Sequence, residues 1–293
     1  MKAIVSFSSF PFFHKHNFKR GGHFYDLESF FNSFVISSCL AHKHFGNLEL
    51  YTDTYGKLML EKLRLPFNHI HTVLDNLTDK EHCMWSVAKL KTHTYQNTPY
   101  AMIDYDVFLW DPLPKFMLGA EIFCQNIETH TQFYHHALNS YIHNCNNKHF
   151  IIDEYVKKNG FNVFAPNCGI VGGNNFNRLK EYANIVLHMI NNASNPWDEY
   201  LKIPMFLEQW FLGMFCNHHK IKIKSFGIGY DWWEKQYKYT HLQSDVKKSK
   251  FMADKLKVRV QKDFSHYIPH IQQAIKCLDY EGSGGFLLYE NYL

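Results

Sequence analysis

The stretch DLESFFNSFVISSCLAHKHFGNLELYT, Asp26–Thr52, decides the fold. Asp26 can cap a helix N-terminus with Ser29 behind it, and Phe30, Phe31, Phe34 and Val35 then recur at helical spacing to about His44. Gly46-Asn47 ends that helix, and Leu48–Thr52 (LELYT) reads as a strand. Upstream, the short β-branched run Lys2–Phe7 (KAIVSF) suits a buried first strand, followed by a loop rich in Ser, Phe and Gly. Downstream, Thr54–Leu63 reads as a second helix and His69–Leu74 as a third strand. A third helix opens at Thr78 or Asp79, carries Trp85, Ala88, Lys89 and Leu90, and extends to about Tyr95. Pro99 then precedes a fourth strand, Tyr100–Ile103. Such alternation predicts an α/β fold with a mixed, mostly parallel central sheet flanked by helices, whose ligands bind at the carboxyl ends of the strands.

Past Trp110-Asp111-Pro112 the pattern loosens. Helices are predicted near His130–Asn144 and Ile151–Lys158, a strand near Val163–Phe164, and a helix from Phe176 to about Asn191. No internal repeat or Pro/Gly/Ser linker divides the chain, so residues 1–293 are expected to form one domain. Within it, 1–106 would be a nucleotide-binding half, 107–248 an acceptor and metal-completing half, and 249–293 a basic helical extension.

Bulk composition narrows the function classes. With 46% hydrophobic and 20% charged residues and a mean hydropathy of −0.34, the chain is ordinary for a folded protein. It contains no run of 18 apolar residues and no signal-peptide pattern at MKAIVSFSSF, which leads to the expectation of a cytoplasmic protein. Seven cysteines, odd in number and never in C-x-x-C spacing, read as reduced thiols. A formal charge of +4 and the lack of any helix-turn-helix, zinc-finger or RNP pattern argue against nucleic acid as a partner. One local excess is the 247–262 segment, with Lys247, Lys248, Lys250, Lys255, Lys257, Arg259 and Lys262 against Asp254. It reads either as a solvated helix face or as a contact for phosphate or an anionic surface, which would place the protein peripherally at the inner membrane.

Asp104-Tyr105-Asp106 lies between the apolar runs YAMI and VFLW. With 14 Asp in 293 residues, a D-x-D triplet is expected ~0.7 times by chance, so only its context gives it meaning. In an extended segment positions i and i+2 face one side, so both carboxylates would project together from a strand end and repel unless a cation sits between them. Carboxylate oxygens suit Mg²⁺ or Mn²⁺, which complete their shells with diphosphate oxygens. The alternative is a pair of loop-capping residues in solvent. Asn167-Cys168-Gly169-Ile170-Val171-Gly172-Gly173 reads as a Gly-rich turn that lets backbone approach a ligand. Glu208-Gln209 precedes the apolar stretch Trp210–Phe215. His241, followed by Lys247 and Lys248, offers an imidazole for a metal shell and ammonium groups for phosphate. If the sheet is wound as proposed, Asp53 and the first loop, Ser6–Phe10, meet a nucleoside. Trp232-Trp233, beside Tyr230, suit either stacking on a sugar or base or core packing. The paired histidines His42/His44, His69/His71, His135-His136 and His218-His219 lack further zinc ligands at site spacing, and no G-x-S-x-G or Cys-His signature supports a covalent hydrolase.

Taken in order, Ile103–Phe108 with its acidic pair, Asn167-x-Gly169 with Gly172-Gly173, Glu208-Gln209, and His241-Leu242 followed by Lys247 resemble the GT-A-fold nucleotide-sugar glycosyltransferases. Among these the chain is similar to the glycogenin and bacterial lipopolysaccharide galactosyltransferase group, from Lys2 to about Lys248. The resemblance implies a hexosyltransferase in which Asp104 and Asp106 hold Mn²⁺ or Mg²⁺ against the diphosphate of a UDP-sugar, with Tyr105 beside the donor. It makes His241 the third metal ligand, Lys247 the adjacent phosphate contact, and Lys89 a basic residue facing donor phosphate or sugar. Asn167, Gly169 and Gly173 would line the sugar and acceptor pocket, with Ser6 and Asp53 on the nucleoside side. Glu208-Gln209 stands where the group has Asp-Gln beside the reacting sugar carbon, and retention of configuration is implied, with a saccharide, lipid-linked or protein acceptor. Two departures matter. Gln243-Ser244-Asp245-Val246 replaces the usual Gly before the Lys, leaving Lys248 open beside Lys247, and Glu replaces Asp in the acidic-amide pair. Two other functions compete. A haloacid-dehalogenase-type Mg²⁺-dependent phosphatase needs a Thr two residues after its second Asp on the first strand, whereas here Phe108 follows on the fourth. A non-catalytic carbohydrate-binding protein would not need an intact Asp104, Asp106 and His241. Asp106→Asn is expected to abolish turnover and leave the melting temperature within a few degrees, since it relieves an acidic cluster.

Overall fold

The computed structural model describes residues 1–10, 24–77, 86–129, 131–144, 148–192, 203–229 and 232–282. Its strands are β1 (Lys2–Phe7), β2 (Leu48–Thr52), β3 (His69–His71), β4 (Tyr100–Ile103), β5 (Val107–Leu109), β6 (Ile122–Cys124), β7 (Ile127–Glu128), β8 (Ala165–Pro166), β9 (Ile170–Gly173), β10 (Ile223–Lys224) and β11 (Tyr239–His241). Seven of them form one sheet in the order β10-β6-β9-β4-β1-β2-β3. β1 pairs in parallel with β2 and β4, β2 with β3, and β10 with β6, while β9 runs against both β4 and β6. The sheet is therefore mixed and mostly parallel, as its alternating pattern predicts. β5 and β11 form an antiparallel pair outside it, as do β7 and β8.

The order of strands sets where a ligand can bind. From β1 the chain steps outward through β2 to β3, then returns to lay β4 on the other side of β1. The carboxyl ends of β1 and β4 thus flank the switch point, the place at which open α/β sheets generally bind ligands.

Side chains alternate across the sheet with the period of a strand. Ala3, Val5 and Phe7 of β1 enter one core and Ile4 the other; Ala101 and Ile103 of β4 join the first, and Tyr100 and Met102 the second. The first core is covered by α1 (Leu27–Phe45), which begins in a capping box between Asp26 and Ser29 and ends at Gly46 with φ +69. Beyond α1 lie α2 (Thr54–Glu61), α3 (Val87–Thr94), α4 (Thr131–Asn144), α5 (Phe150–Asn159) and α6 (Phe176–Asn191). Next comes a helical run of Ile203–Met205, a π-helical turn Phe206–Trp210 and α7 (Phe211–His218), and finally α8 (Lys250–Asp263) and α9 (Ile268–Gly282). The second core is filled by residues of α3, α4, α5, α6, α7 and the π-helical turn.

Four details differ from the sequence reading. β3 stops at His71, because Val73–Asn76 turns into a 3₁₀ helix. The short strand expected at Val163–Phe164 lies at Ala165–Pro166, where it pairs with Ile127–Glu128. The Gly-rich run is a turn only up to Gly169; Ile170–Gly173 is β9, in the middle of the sheet. Its glycines answer to close strand packing, since a Cβ at Gly172 would lie 2.9 Å from Ala101 Cα and one at Gly173 2.7 Å from the Glu121 carbonyl carbon. Finally, the C-terminal helices are built into the core. Ala253, Leu256, Val260, Ile271, Ala274 and Leu278 are buried with α1, although Phe251 and Val258 face outward among the lysines of α8.

Among the described residues no helix is long and apolar enough to cross a membrane. The expected helix start at Thr78 or Asp79, Trp85, Tyr230 and the end of the chain from 283 lie outside the described residues, as do the side chains of Trp232 and Trp233.

Candidate metal centre

Asp104-Tyr105-Asp106 leaves β4 at the switch point, but as a tight turn rather than an extended strand end. Val107 N donates to Asp104 O at 3.0 Å, closing the turn, and Asp104 N donates to Gly169 O at 2.9 Å. Two hydroxyls one helical turn apart on α1 hold its carbonyls: Ser33 Oγ donates to Tyr105 O at 2.9 Å and Ser37 Oγ to Asp104 O at 3.0 Å. The Tyr105 ring plugs into the aromatic face of α1, stacked on Phe34 with centroids 5.1 Å apart and edge-on to Phe30 at 5.5 Å. The aromatic residue is thus an anchor beneath the turn. The two carboxylates converge because the turn is pinned from below, and not through the two-residue period of a strand.

β11 supplies the third group. It pairs with β5 so that His241 faces Val107, and Leu242 N donates to Asp106 O at 3.0 Å. His241 Nε2 lies 3.5 Å from Asp106 Oδ1. One ligand atom from each of Asp104, Asp106 and His241 falls within 4.8 Å of the others. The ring lies against Gly169, where a Cβ would come 2.7 Å from His241 Nδ1, so a glycine is required there. Two carboxylates and an imidazole above a side-chain-free floor make a donor set that fits a divalent cation of the Mg²⁺ or Mn²⁺ kind.

Two ammonium groups flank this set. Lys89, buried on α3, places Nζ 3.0 Å from Asp104 Oδ2, 2.5 Å from Glu208 Oε1 and 3.2 Å from Cys168 O. Lys247 Nζ lies 2.6 Å from Asp106 Oδ2 and 5.5 Å from the Phe24 ring centroid. Lys248 instead pairs with the exposed Asp245. Burial disfavours the Lys89 ammonium, but Asp104 and Glu208 outweigh it and hold the amine above its ordinary value. Burial raises the Asp104 carboxyl, opposed by Lys89 and reinforced by Asp106. Burial also acts on Asp106, where Lys247 and His241 outweigh it and hold the carboxyl well below the usual range. Glu208 is pushed up to about 7, first by burial and then by Asp104, against the pull of Lys89.

Glu208 reaches Lys89 from the π-helical turn. A π turn leaves carbonyls without their helical partners, and Tyr182 on α6 donates its hydroxyl to them, at 2.9 Å to Leu207 O and 2.6 Å to Glu208 O. The next residue, Gln209, points elsewhere. Its amide lies 2.5 Å from the Tyr134 hydroxyl, which is 2.6 Å from Glu128 Oε2; Asn167 Nδ2 donates to Glu128 Oε1 at 2.5 Å and Asn167 Oδ1 accepts from Gly169 N at 2.9 Å. Asn167 therefore builds the turn that presents Gly169.

Three other residues singled out from the sequence make contacts of their own, outside the group of Asp104, Asp106 and His241. Gly173 pairs with Tyr100 at the opposite end of β9 from Gly169. Ser6 is buried within β1, its Oγ 2.9 Å from Thr92 Oγ1. The Asp53 carboxylate is engaged in holding the chain: it accepts from Gly56 N at 2.7 Å as the cap of α2, and from Ser9 N and Ser9 Oγ at 2.6 Å. Residues the sequence reading passed over include Ser33, Ser37, Tyr182 and Gln125, whose side chains support the site without carrying charge. Hydroxyls four apart on the apolar face of α1 were the one signal available for any of them.

The profile of a family described as "Family of unknown function (DUF6734)" matches residues 1–274. No curated protein sequence matches the chain. Among solved structures, mouse xyloside xylosyltransferase 1 in its apo form is similar at 13% identity and a TM-score of 0.35, over 76% of this chain and 84% of that one. The apo bifunctional glycosyltransferase WbbM is similar at 15% identity and a TM-score of 0.31, over 70% of this chain and 37% of that one. Likeness at this level carries no argument about activity.

Proposed function

The chain belongs to DUF6734, a family of unknown function, and we propose from the geometry of its site that it is a metal-dependent glycosyltransferase. The observation that carries this reading is the convergence of Asp104, Asp106 and His241 at the carboxyl ends of parallel strands, flanked by Lys89 and Lys247. That arrangement suits an anion bearing several phosphate oxygens beside a divalent cation.

In this reading the donor is a nucleotide sugar, a UDP-hexose by resemblance, and the acceptor is a saccharide, lipid-linked or protein hydroxyl. Asp104, Asp106 and His241 would hold Mn²⁺ or Mg²⁺. Such an ion supplies Lewis-acid neutralisation of the charge that grows on the departing diphosphate. Lys89 and Lys247 add fixed positive charge on either side of the leaving group among largely buried side chains, where it acts with little reorganisation. Glu208 stands beside the transferred sugar; apart from its ion pair with Lys89, its buried carboxyl oxygens meet no well-directed hydrogen-bond donor, which suits sugar hydroxyls. Gln209 follows it in the π-helical turn, its amide oxygen tied to Tyr134.

The test is calorimetric titration of UDP with and without Mn²⁺, on the wild type and on Asp106→Asn. Binding that needs the ion and vanishes in the variant is expected, together with loss of sugar-nucleotide hydrolysis. Identical UDP titrations with and without Mn²⁺ would sink the reading.

A further inference from the structure

Gln125 is fully buried at the carboxyl end of β6, two strands away from Asp104. Its backbone is clamped on both sides, with Gln125 N donating to Asn167 O at 3.0 Å and Phe226 N to Gln125 O at 2.9 Å. The side chain then reaches β11. Gln125 Oε1 accepts from the Tyr239 hydroxyl at 2.5 Å and lies 2.8 Å from His241 Nδ1. Tyr239 and His241 are two apart on one strand and so offer both donors to a single oxygen. The amide nitrogen, also buried, meets no acceptor.

We infer that Gln125 is a positioning residue for the metal centre, an inference that rests on the reading of the site given above. An amide oxygen is only an acceptor, so its 2.8 Å contact with Nδ1 favours the imidazole proton on that atom, against the longer 3.4 Å contact from Gln243 Nε2, which can only donate. Nε2 is then left with its lone pair, and Nε2 is the atom that faces Asp106 Oδ1 at 3.5 Å. Gly169 leaves the space that both the ring and the Gln125 oxygen occupy, since a Cβ there would meet both, and the Gln125–Tyr239 contact fixes that oxygen. The imidazole is held in the tautomer and direction that ligation needs before any ion arrives, the role that an outer partner commonly plays for a ligating histidine.

Two variants separate this role from plain packing. Gln125→Met keeps length and fills the space but removes the acceptor; Gln125→Glu keeps an acceptor. Mn²⁺ affinity is read from the free-ion electron paramagnetic resonance signal, without donor, and the His241 tautomer from imidazole ¹⁵N shifts in the metal-free protein, assigned with His241→Gln. We expect Gln125→Met to bind Mn²⁺ about 10–100-fold more weakly, with the Nδ1–H signature of His241 lost, and Gln125→Glu to bind within a few-fold of wild type with the signature kept. Wild-type affinity in Gln125→Met, or equal weakening in both variants, overturns the inference. A wild type that binds no Mn²⁺ overturns the metal reading and this inference together, whereas binding that is lost in Asp106→Asn but unchanged in Gln125→Met overturns this inference alone. Should Gln125→Met fail to fold, the ¹⁵N signature in the wild type still decides, because an Nε2–H tautomer there contradicts the role.

Discussion

Asp104 and Asp106 sit two positions apart, yet removing their charges should have unequal effects. Asp106 is the salt-bridge partner of Lys247, and both side chains are largely buried, at 8% and 16% exposure. Asparagine at 106 strands an ammonium, and breaking such a pair from one side costs roughly 3 kcal/mol. Asp104 shares Lys89 with Glu208, so asparagine at 104 leaves that lysine paired and removes a carboxyl already disfavoured by burial. Urea denaturation should therefore show Asp106→Asn clearly destabilised and Asp104→Asn close to wild type. Equal losses would contradict the division of partners. The sequence-based expectation that Asp106→Asn leaves melting almost unchanged is corrected by Lys247, whose pairing with a residue 141 positions away no local pattern reveals. His93 gives a second residue-level test. It is buried beside Tyr100 on α3, and burial, aided by Lys89, holds its imidazole down at about 3. The unfolded chain takes up that proton near 6.5 while the folded protein refuses it. Its contribution to stability is therefore complete above about pH 6.5 and is lost as pH falls toward 3, by up to about 1.4 kcal/mol per pH unit. Denaturation at pH 7 and 5 should show a smaller difference in His93→Gln than in wild type.

At the scale of elements, what could be read from the sequence follows how local each cause is. β1, β2, β4 and α6 fall where expected, because hydrophobic period, caps and Gly breaks act within a few residues. α1 begins in the Asp26–Ser29 capping box and stops at Gly46 for the same reason. The π-helical turn that carries Glu208 was not legible. Its freed carbonyls are met by Tyr182, which comes from another helix and leaves no local signal. The β5–β11 pair was equally hidden, since three-residue strands carry little pattern and their pairing spans 130 residues of sequence. Asp104 and Asp106 could be singled out as acidic residues breaking an apolar run. Gly173 was misplaced because a glycine needed between crowded strands looks, in sequence, like one needed against a ligand. The capping role of Asp53 was not separable in sequence from a ligand contact, because both want the same residue.

For the whole molecule, α1 ties the C-terminal helices α8 and α9 to the site. One face offers Ser33 and Ser37 to the acidic turn, while α8 and α9 bury Leu256, Val260, Ile271 and Leu278 in the core it shares. A protein ending at Ser249 would expose that apolar surface, at about 25 cal/mol per Å². It should therefore lose cooperative unfolding and bind a hydrophobic dye. If a shortened chain instead melts as sharply as the full one, the C-terminal helices are dispensable to the core.

Lys89 and Lys247 mean that the acidic turn already holds positive partners of its own. Each ammonium competes with a cation for the charge of its carboxylate, and one that yields is drawn to an anion. The two ligands should therefore recruit each other, each tightening its counterpart by an equal factor. The acidic turn then holds a cation by itself at modest strength and holds it best once an anion has drawn the ammonium groups aside.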